Sequence, residues 1–213
     1  MNCKLSIGHD TMRKHSYQQI CPRNPKELQI IDSIPEDELS AWYQAGIATM
    51  AVRNRIEVHQ LTLEESTGKR AGVRVEAFPA SRILNLREGE LRTSRIEDYV
   101  STLLAGTVGR LIRIMLSYDG NREGHSTKHP AMRCWETTLE AQEPETDRAY
   151  AITVGYLQEK DGGDPTETLQ RLWLVVYGEL QTPSCSRMLS LVAEKLLEKR
   201  KLSSSIIHRL LSD

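Results

Sequence analysis

Apolar side chains spaced three and four residues apart predict helices in three parts of the chain. The first helix covers about 35–50, the second covers 94–118, and each begins at an S-x-x-E capping box. Gly106 and Gly109 interrupt the apolar stripe of the second, which indicates two helices that meet at a close contact. The third begins at Pro183, and a serine triplet separates it from a short amphipathic end.

Alternating apolar and polar positions predict five strands. The strands 55–64 and 72–78 form a hairpin whose tip exposes Lys69 and Arg70. The other three are predicted at 132–140, 148–158 and 169–180. Within 148–158 the alternating residues are Tyr150, Ile152, Val154 and Tyr156. The last stretch is apolar on both faces, as in a central strand, and the turn DGGDP precedes it.

The order of these elements predicts an α+β fold. An antiparallel sheet of about five strands packs against the long central helix and a C-terminal helix. Residues 1–32 are polar, contain Pro22 and Pro25, and show no sustained period. They predict a flexible N-terminal arm ahead of a single domain at 33–213.

The net charge of −1 gives no global attraction to nucleic acid or membrane, but the charge is unevenly distributed. Residues 1–30 carry five Lys or Arg and two acids, whereas 140–167 is mostly acidic. Such patches either steer partners and drive head-to-tail association or form solvated loops.

The cysteines are widely spaced and form no C-x-x-C pair, as is typical of thiols in a reducing compartment. No apolar run reaches the roughly 18 residues of a membrane span, and the first residues lack the pattern of a signal peptide. These features predict the cytosol or the nucleus.

The sequence contains no complete catalytic motif. The stretch Thr67-Gly68-Lys69-Arg70 lacks the upstream glycine of a phosphate loop. His125, His129 and Cys134 have a spacing suited to zinc but no fourth ligand near by. No nucleophile elbow is present. The sequence predicts a binding or assembly protein without metal or cofactor, although a hydrolase with a scattered site stays open.

The segment 91–120, LRTSRIEDYVSTLLAGTVGRLIRIMLSYDG, resembles the matrix proteins of rhabdoviruses. The resemblance extends over 55–213 through the order of the elements and the Lys-rich C-terminal helix. The chain lacks the Pro-Pro-x-Tyr budding motif of that family, and Tyr177-Gly178-Glu179-Leu180 has the Tyr-x-x-Leu form of another budding signal.

The resemblance implies a structural virion protein that self-associates, lies between nucleocapsid and envelope, and condenses the nucleocapsid. The expected partners are the protein itself, the viral nucleocapsid, an anionic membrane surface and host proteins, without a specific nucleic-acid sequence. Localisation would be the virion and the host cytoplasm, membrane periphery or nucleus. The residues expected to contact membrane or nucleocapsid are Lys69, Arg70, Arg110, Arg113, Lys199, Arg200 and Lys201. Those expected to serve self-association are Pro22, Pro25, Trp42, Arg122, His125 and His129.

A second hypothesis is a monomeric adaptor or antagonist of host signalling. It would bind one host protein through the helix that contains Trp42 or through an exposed sheet edge.

Overall fold

The computed structural model describes residues 33–63, 72–75, 90–117, 144–159 and 163–212. The helices of this part of the chain are α1 (Glu36–Arg53), α2 (Glu90–Ser117), α3 (Pro144–Glu159), α4 (Pro165–Leu180), α5 (Pro183–Lys199) and α6 (Ser204–Ser212). The strands are β1 (Val58–Thr62), β2 (Gly72–Val75) and β3 (Lys201–Ser203). The three predicted helices are confirmed as α1, α2 and α5, and the predicted amphipathic end is α6.

The backbones of α1 and α2 approach each other very closely where the two helices cross. An ideal Cβ atom on Gly46 would lie 2.1 Å from the carbonyl oxygen of Ala105, and one on Gly109 would lie 2.5 Å from the carbonyl oxygen of Trp42. Only residues without a side chain allow the two backbones to approach so closely. Since α2 is continuous, the glycines mark a close helix contact and not a junction of two helices.

The sheet has three strands in the order β2-β1-β3, and both pairings are antiparallel. The predicted hairpin is confirmed in its strands, and β3 adds a strand that the sequence did not indicate. The Gln44 side chain joins the sheet to α1, because its Nε2 donates to the Thr62 carbonyl oxygen at 2.9 Å and its Oε1 accepts from the Thr62 N–H at 3.0 Å.

The prediction of a five-stranded α+β fold is wrong. Residues 148–158 lie in α3 and residues 169–180 lie in α4, so the described chain is mostly helical with a small sheet. The predicted strand 132–140 lies outside the described residues. In α3, Ala149 and Thr153 are buried one helical turn apart. The Thr153 hydroxyl donates to the Ala149 carbonyl oxygen at 2.8 Å.

The error at α4 has a clear physical origin. Its buried residues follow the i, i+3, i+4, i+7 spacing of a helix. They are Leu169, Leu172, Trp173, Val176, Tyr177 and Leu180. The Asp164-Pro165 pair, which resembled part of a turn, is the helix start. The Asp164 carboxylate accepts from the Thr166 N–H at 2.8 Å, and Pro165 occupies the first turn.

Helix α2 lies at the centre of the described fold, where it contacts α1, α3 and α4. Helix α1 also packs against α5. In the core, the Trp173 ring stacks on that of Tyr177 with a centroid separation of 5.5 Å. One hydrophobic cluster extends from α1 to α6 and includes residues of every helix.

Candidate functional site

Seven of the predicted contact residues lie outside the described part of the chain, and their roles stay predictions. They are Pro22, Pro25, Lys69, Arg70, Arg122, His125 and His129. The remaining six are Trp42, Arg110, Arg113, Lys199, Arg200 and Lys201, and the structure places them in two different environments.

Trp42 and Arg110 belong to the core. Trp42 is 7% exposed and Arg110 is 5% exposed, and the Arg110 guanidinium carbon lies 5.0 Å from the centroid of the Tyr43 ring. This is the geometry of a cation–π contact between α2 and α1. The expectation that Trp42 serves self-association and that Arg110 contacts membrane or nucleocapsid is therefore corrected. The reason is that α2 is enclosed by three helices and that α1 is buried on all sides from Ala41 to Ala51, whereas the sequence suggested one apolar side for each helix.

Arg113 also serves the contact between α1 and α2. Its Nε lies 2.6 Å from Oε1 of Glu38, and its Nη1 donates to the Ser117 hydroxyl. Both members of the ion pair are mostly shielded, because their side chains are only a fifth to a quarter exposed. Arg113 therefore joins the end of α2 to the start of α1.

Lys199, Arg200 and Lys201 form an exposed cationic corner between α5 and β3, which we call the basic end. Arg200 has a left-handed backbone with φ of 60° and ends α5, where its N–H donates to the Leu196 carbonyl oxygen at 2.8 Å. The reversal at Arg200 leaves Lys199 and Lys201 exposed on either side of it.

The surroundings of the basic end include two carboxylates. Arg200 Nη1 lies 2.5 Å from Oδ2 of Asp37, and Lys195 Nζ lies 2.5 Å from Oε2 of Glu198. The hydrogen bond from Lys195 lowers the pKa of the exposed Glu198 carboxyl. The basic end therefore keeps its excess of positive charge mainly through Lys199 and Lys201.

A surface that sequence reasoning missed is the outward side of α4. We call it the α4 face, and it consists of the exposed residues Glu167, Arg171, Leu174, Val175 and Gly178. Leu174 is 38% exposed and Val175 is 49% exposed. An ideal Cβ atom on Gly178 would meet nothing within 4 Å. The assignment of 169–180 to a central strand hid this face, because a central strand has no solvent side.

Arg171 fixes one edge of the α4 face to α2. Its Nη2 lies 2.5 Å from Oε1 of Glu97, and its side chain is 54% exposed. At the end of α4, Arg53 Nη2 lies 2.6 Å from Oε2 of Glu179. The Tyr-x-x-Leu segment is also in α4, where Tyr177 and Leu180 are buried, so this segment is part of the core.

The described residues include few side chains that could bind a metal ion or act as a nucleophile, acid or base. They contain no group of three or more His, Cys, Asp or Glu side chains that could hold a metal ion. The thiol of Cys185 is buried, and Nη1 of Arg53 lies 3.8 Å from its sulfur. Burial raises the pKa of the Asp98 carboxyl, while the charge of Arg95 opposes that shift and the charge of Glu97 adds to it.

Among the described helices, the Ser94–Ser117 part of α2 has the length and composition to cross a membrane. Most of it (78% of its most apolar stretch) is buried inside the protein, as expected for the central helix of a folded core.

No family model matches this chain, and no curated protein is significantly similar to it.

Proposed function

We propose that this protein is an assembly protein that self-associates and binds anionic surfaces, as a viral matrix protein does when it bridges nucleocapsid and envelope and condenses the nucleocapsid. The observation that carries the proposal is the α4 face. The inner side of α4 is filled by core residues, yet Leu174 and Val175 also project outward next to each other.

One exposed leucine is ordinary on a protein surface, but adjacent exposed apolar residues beside an uncovered helical glycine favour a protein contact. Burial of the exposed parts of Leu174 and Val175 would contribute about 25 cal/mol for each Å² removed from water. This contribution supports self-association of the folded protein.

The basic end supports the anionic-surface part of the proposal. Each Lys or Arg near an acidic membrane surface contributes about 1 kcal/mol at moderate ionic strength. Lys199 and Lys201 would therefore provide weak binding per copy, which becomes strong when many copies assemble on one surface.

The viral class comes from the resemblance of residues 91–120. It takes no support from the sheet, since two of the strands included in that resemblance are helices.

The test combines light scattering with sedimentation on vesicles of phosphatidylserine and phosphatidylcholine. We expect concentration-dependent oligomers, and vesicle binding at 0.1 M salt that is lost at about 1 M because the Debye length falls from about 10 to 3 Å. The double variant Lys199→Glu/Lys201→Glu should lose vesicle binding. Arg187→Glu, an exposed site elsewhere on α5, is the control for the added negative charge and should retain most of it.

A protein that stays monomeric and binds neither vesicles nor nucleocapsid would refute the proposal. The adaptor hypothesis draws on the same α4 face, which could accept an amphipathic helix of a host protein. A monomer whose binding to one purified host protein is abolished by Leu174→Asp would favour it.

A further inference from the structure

The structure points to a particular partner for the α4 face: we propose that it packs antiparallel against the α4 face of a second copy. The two-fold axis would pass between Leu174 and Val175. This inference rests on the proposed self-association and specifies the residues and the direction of the contact.

The spacing of the α4 face is symmetric about that axis. Arg171, Leu174, Val175 and Gly178 occupy positions i, i+3, i+4 and i+7, which lie on one side of a helix. In an antiparallel two-fold pair, a residue that precedes the axis by a given number of positions lies opposite the residue that follows it by the same number. Arg171 therefore lies opposite Gly178 of the second copy, and this contact occurs twice. Leu174 and Val175 pack at the axis against the same pair of residues.

This arrangement explains why a glycine occupies the exposed last turn of α4. Glycine is a poor helix former, and no contact with the described residues requires it at 178, because a Cβ atom there would meet open space. In the antiparallel pair, the missing side chain allows the helices to approach and leaves room for Arg171 of the second copy.

Charge complementarity supports the antiparallel direction. The last turn of α4 has no basic residue, and the C-terminal end of a helix carries partial negative charge. Arg171 of the second copy would lie against this end through the exposed part of its side chain, while it keeps its ion pair with Glu97 of its own copy. Glu167 would lie beyond the C-terminal end of α4 of the second copy, towards the start of α5, whose first turn has no acidic residue. Because a helix N-terminus carries partial positive charge, Glu167 complements it. A parallel pair would instead place Glu167 and Arg171 next to their own copies, with like charges adjacent.

The first experiment compares two glycines that both face open space. Gly178→Leu should weaken self-association at least tenfold in sedimentation equilibrium, because leucine would hold the helices apart and occupy the space of Arg171. Gly155→Leu on α3 is the matched control, since its Cβ atom also meets nothing within 4 Å, and it should leave self-association unchanged. Circular dichroism of both variants verifies that they are folded. Equal association constants for the two variants would overturn the inference.

The second experiment determines direction by disulfide crosslinking, with Cys3, Cys21 and Cys134 replaced by serine. Leu174→Cys should crosslink to its own copy under mild oxidation because it lies at the axis. Glu167→Cys should not, since it would be about 22 Å from its copy along the helix at 1.5 Å per residue.

An oligomer in which Glu167→Cys crosslinks, or in which Leu174→Cys does not, would overturn the antiparallel contact and leave the proposed self-association standing. A chain that is monomeric at every concentration would overturn both.

Discussion

The contact between Gly46 and α2 allows a quantitative test of the fold, because replacement by alanine introduces one methyl group between two backbones. The new Cβ atom would lie 2.1 Å from the Ala105 carbonyl oxygen, 3.0 Å from its carbonyl carbon and 3.3 Å from the Gly109 Cα. Ordinary van der Waals contact begins at about 3.4 Å. Helices α1 and α2 would therefore have to separate by roughly 1 Å.

The free-energy change has two opposing parts. Overpacking a core costs about 1–3 kcal/mol, and the upper end applies because neither backbone can change rotamer to make room. Alanine returns about 1 kcal/mol through its better helix propensity. The net loss of unfolding free energy is therefore about 2 kcal/mol, which lowers Tm by about 4–8 °C in a chain of this size.

Differential scanning calorimetry measures this effect directly. Gly155→Ala is the control, because its Cβ atom meets nothing within 4 Å and only the propensity gain of about 1 kcal/mol remains. Adding Ala105→Gly to Gly46→Ala should not restore the lost Tm, since the atom of Ala105 nearest to the new methyl group is its main-chain oxygen. A Tm for Gly46→Ala at or above that of the wild type would refute the close crossing.

Three further substitutions test separate parts of the fold. Burial raises the pKa of the Asp98 carboxyl above 3.8, so the folded state keeps the carboxyl proton to higher pH than the unfolded state does. The free energy of unfolding should therefore fall as the pH rises above 3.8. Asp98→Asn should flatten that part of the profile in urea titrations from pH 4 to 7, and an unchanged slope would contradict the assignment. Gln44→Ala should cost about 2–4 kcal/mol in urea unfolding, because it leaves the Thr62 N–H and C=O without this partner, and a loss under 1 kcal/mol would contradict it. Asp164→Ala should cost about 1 kcal/mol through loss of the α4 cap while Asp164→Ser retains most of it, and equal stability of the two would show that the cap is unimportant.

Local sequence signals were sufficient for α1, α2, α5 and the β1–β2 hairpin. The apolar residues of α2 recur with helical period over many turns, whereas α1 is buried on all sides from Ala41 to Ala51. Each predicted start falls within four residues of the observed one, but the predicted capping boxes are not the helix starts, because α1 begins after Pro35 and Ser94 lies inside α2. The glycines at 106 and 109 correctly indicated a close contact but wrongly indicated two helices, since α2 is continuous. The partner in that contact, Gly46, could not be identified from the sequence, because a tertiary contact leaves no trace in local spacing.

Local sequence patterns predicted the wrong element where the apolar residues fit both the two-residue period of a strand and the 3.6-residue period of a helix. In α3, Tyr150, Ile152, Val154 and Tyr156 alternate along the sequence, yet the structure exposes Tyr150 and buries Thr153. β-branched and aromatic residues favour strands only weakly, and burial against α2 and α4 determined the helix. The burial of Arg110 was equally invisible, since an arginine beside an apolar stripe ordinarily extends to solvent.

Residues 169–180 can take part in recognition because they form a helix and not a central strand. As a central strand, they would have both faces covered and no part in recognition. As a helix, the same residues divide into a buried side that contains Trp173 and an outward side that contains Leu174 and Val175. Meanwhile two of the residues first expected to contact partners, Trp42 and Arg110, are committed to the core. The proposed contact surface therefore loses Trp42 and Arg110, gains the α4 face and keeps the basic end. Helix α4 and helix α5, which ends at Lys199, are held together by one hydrophobic cluster. Self-association through α4 would therefore fix the positions of the two basic ends relative to each other. The basic ends of many assembled copies would then bind one anionic surface together.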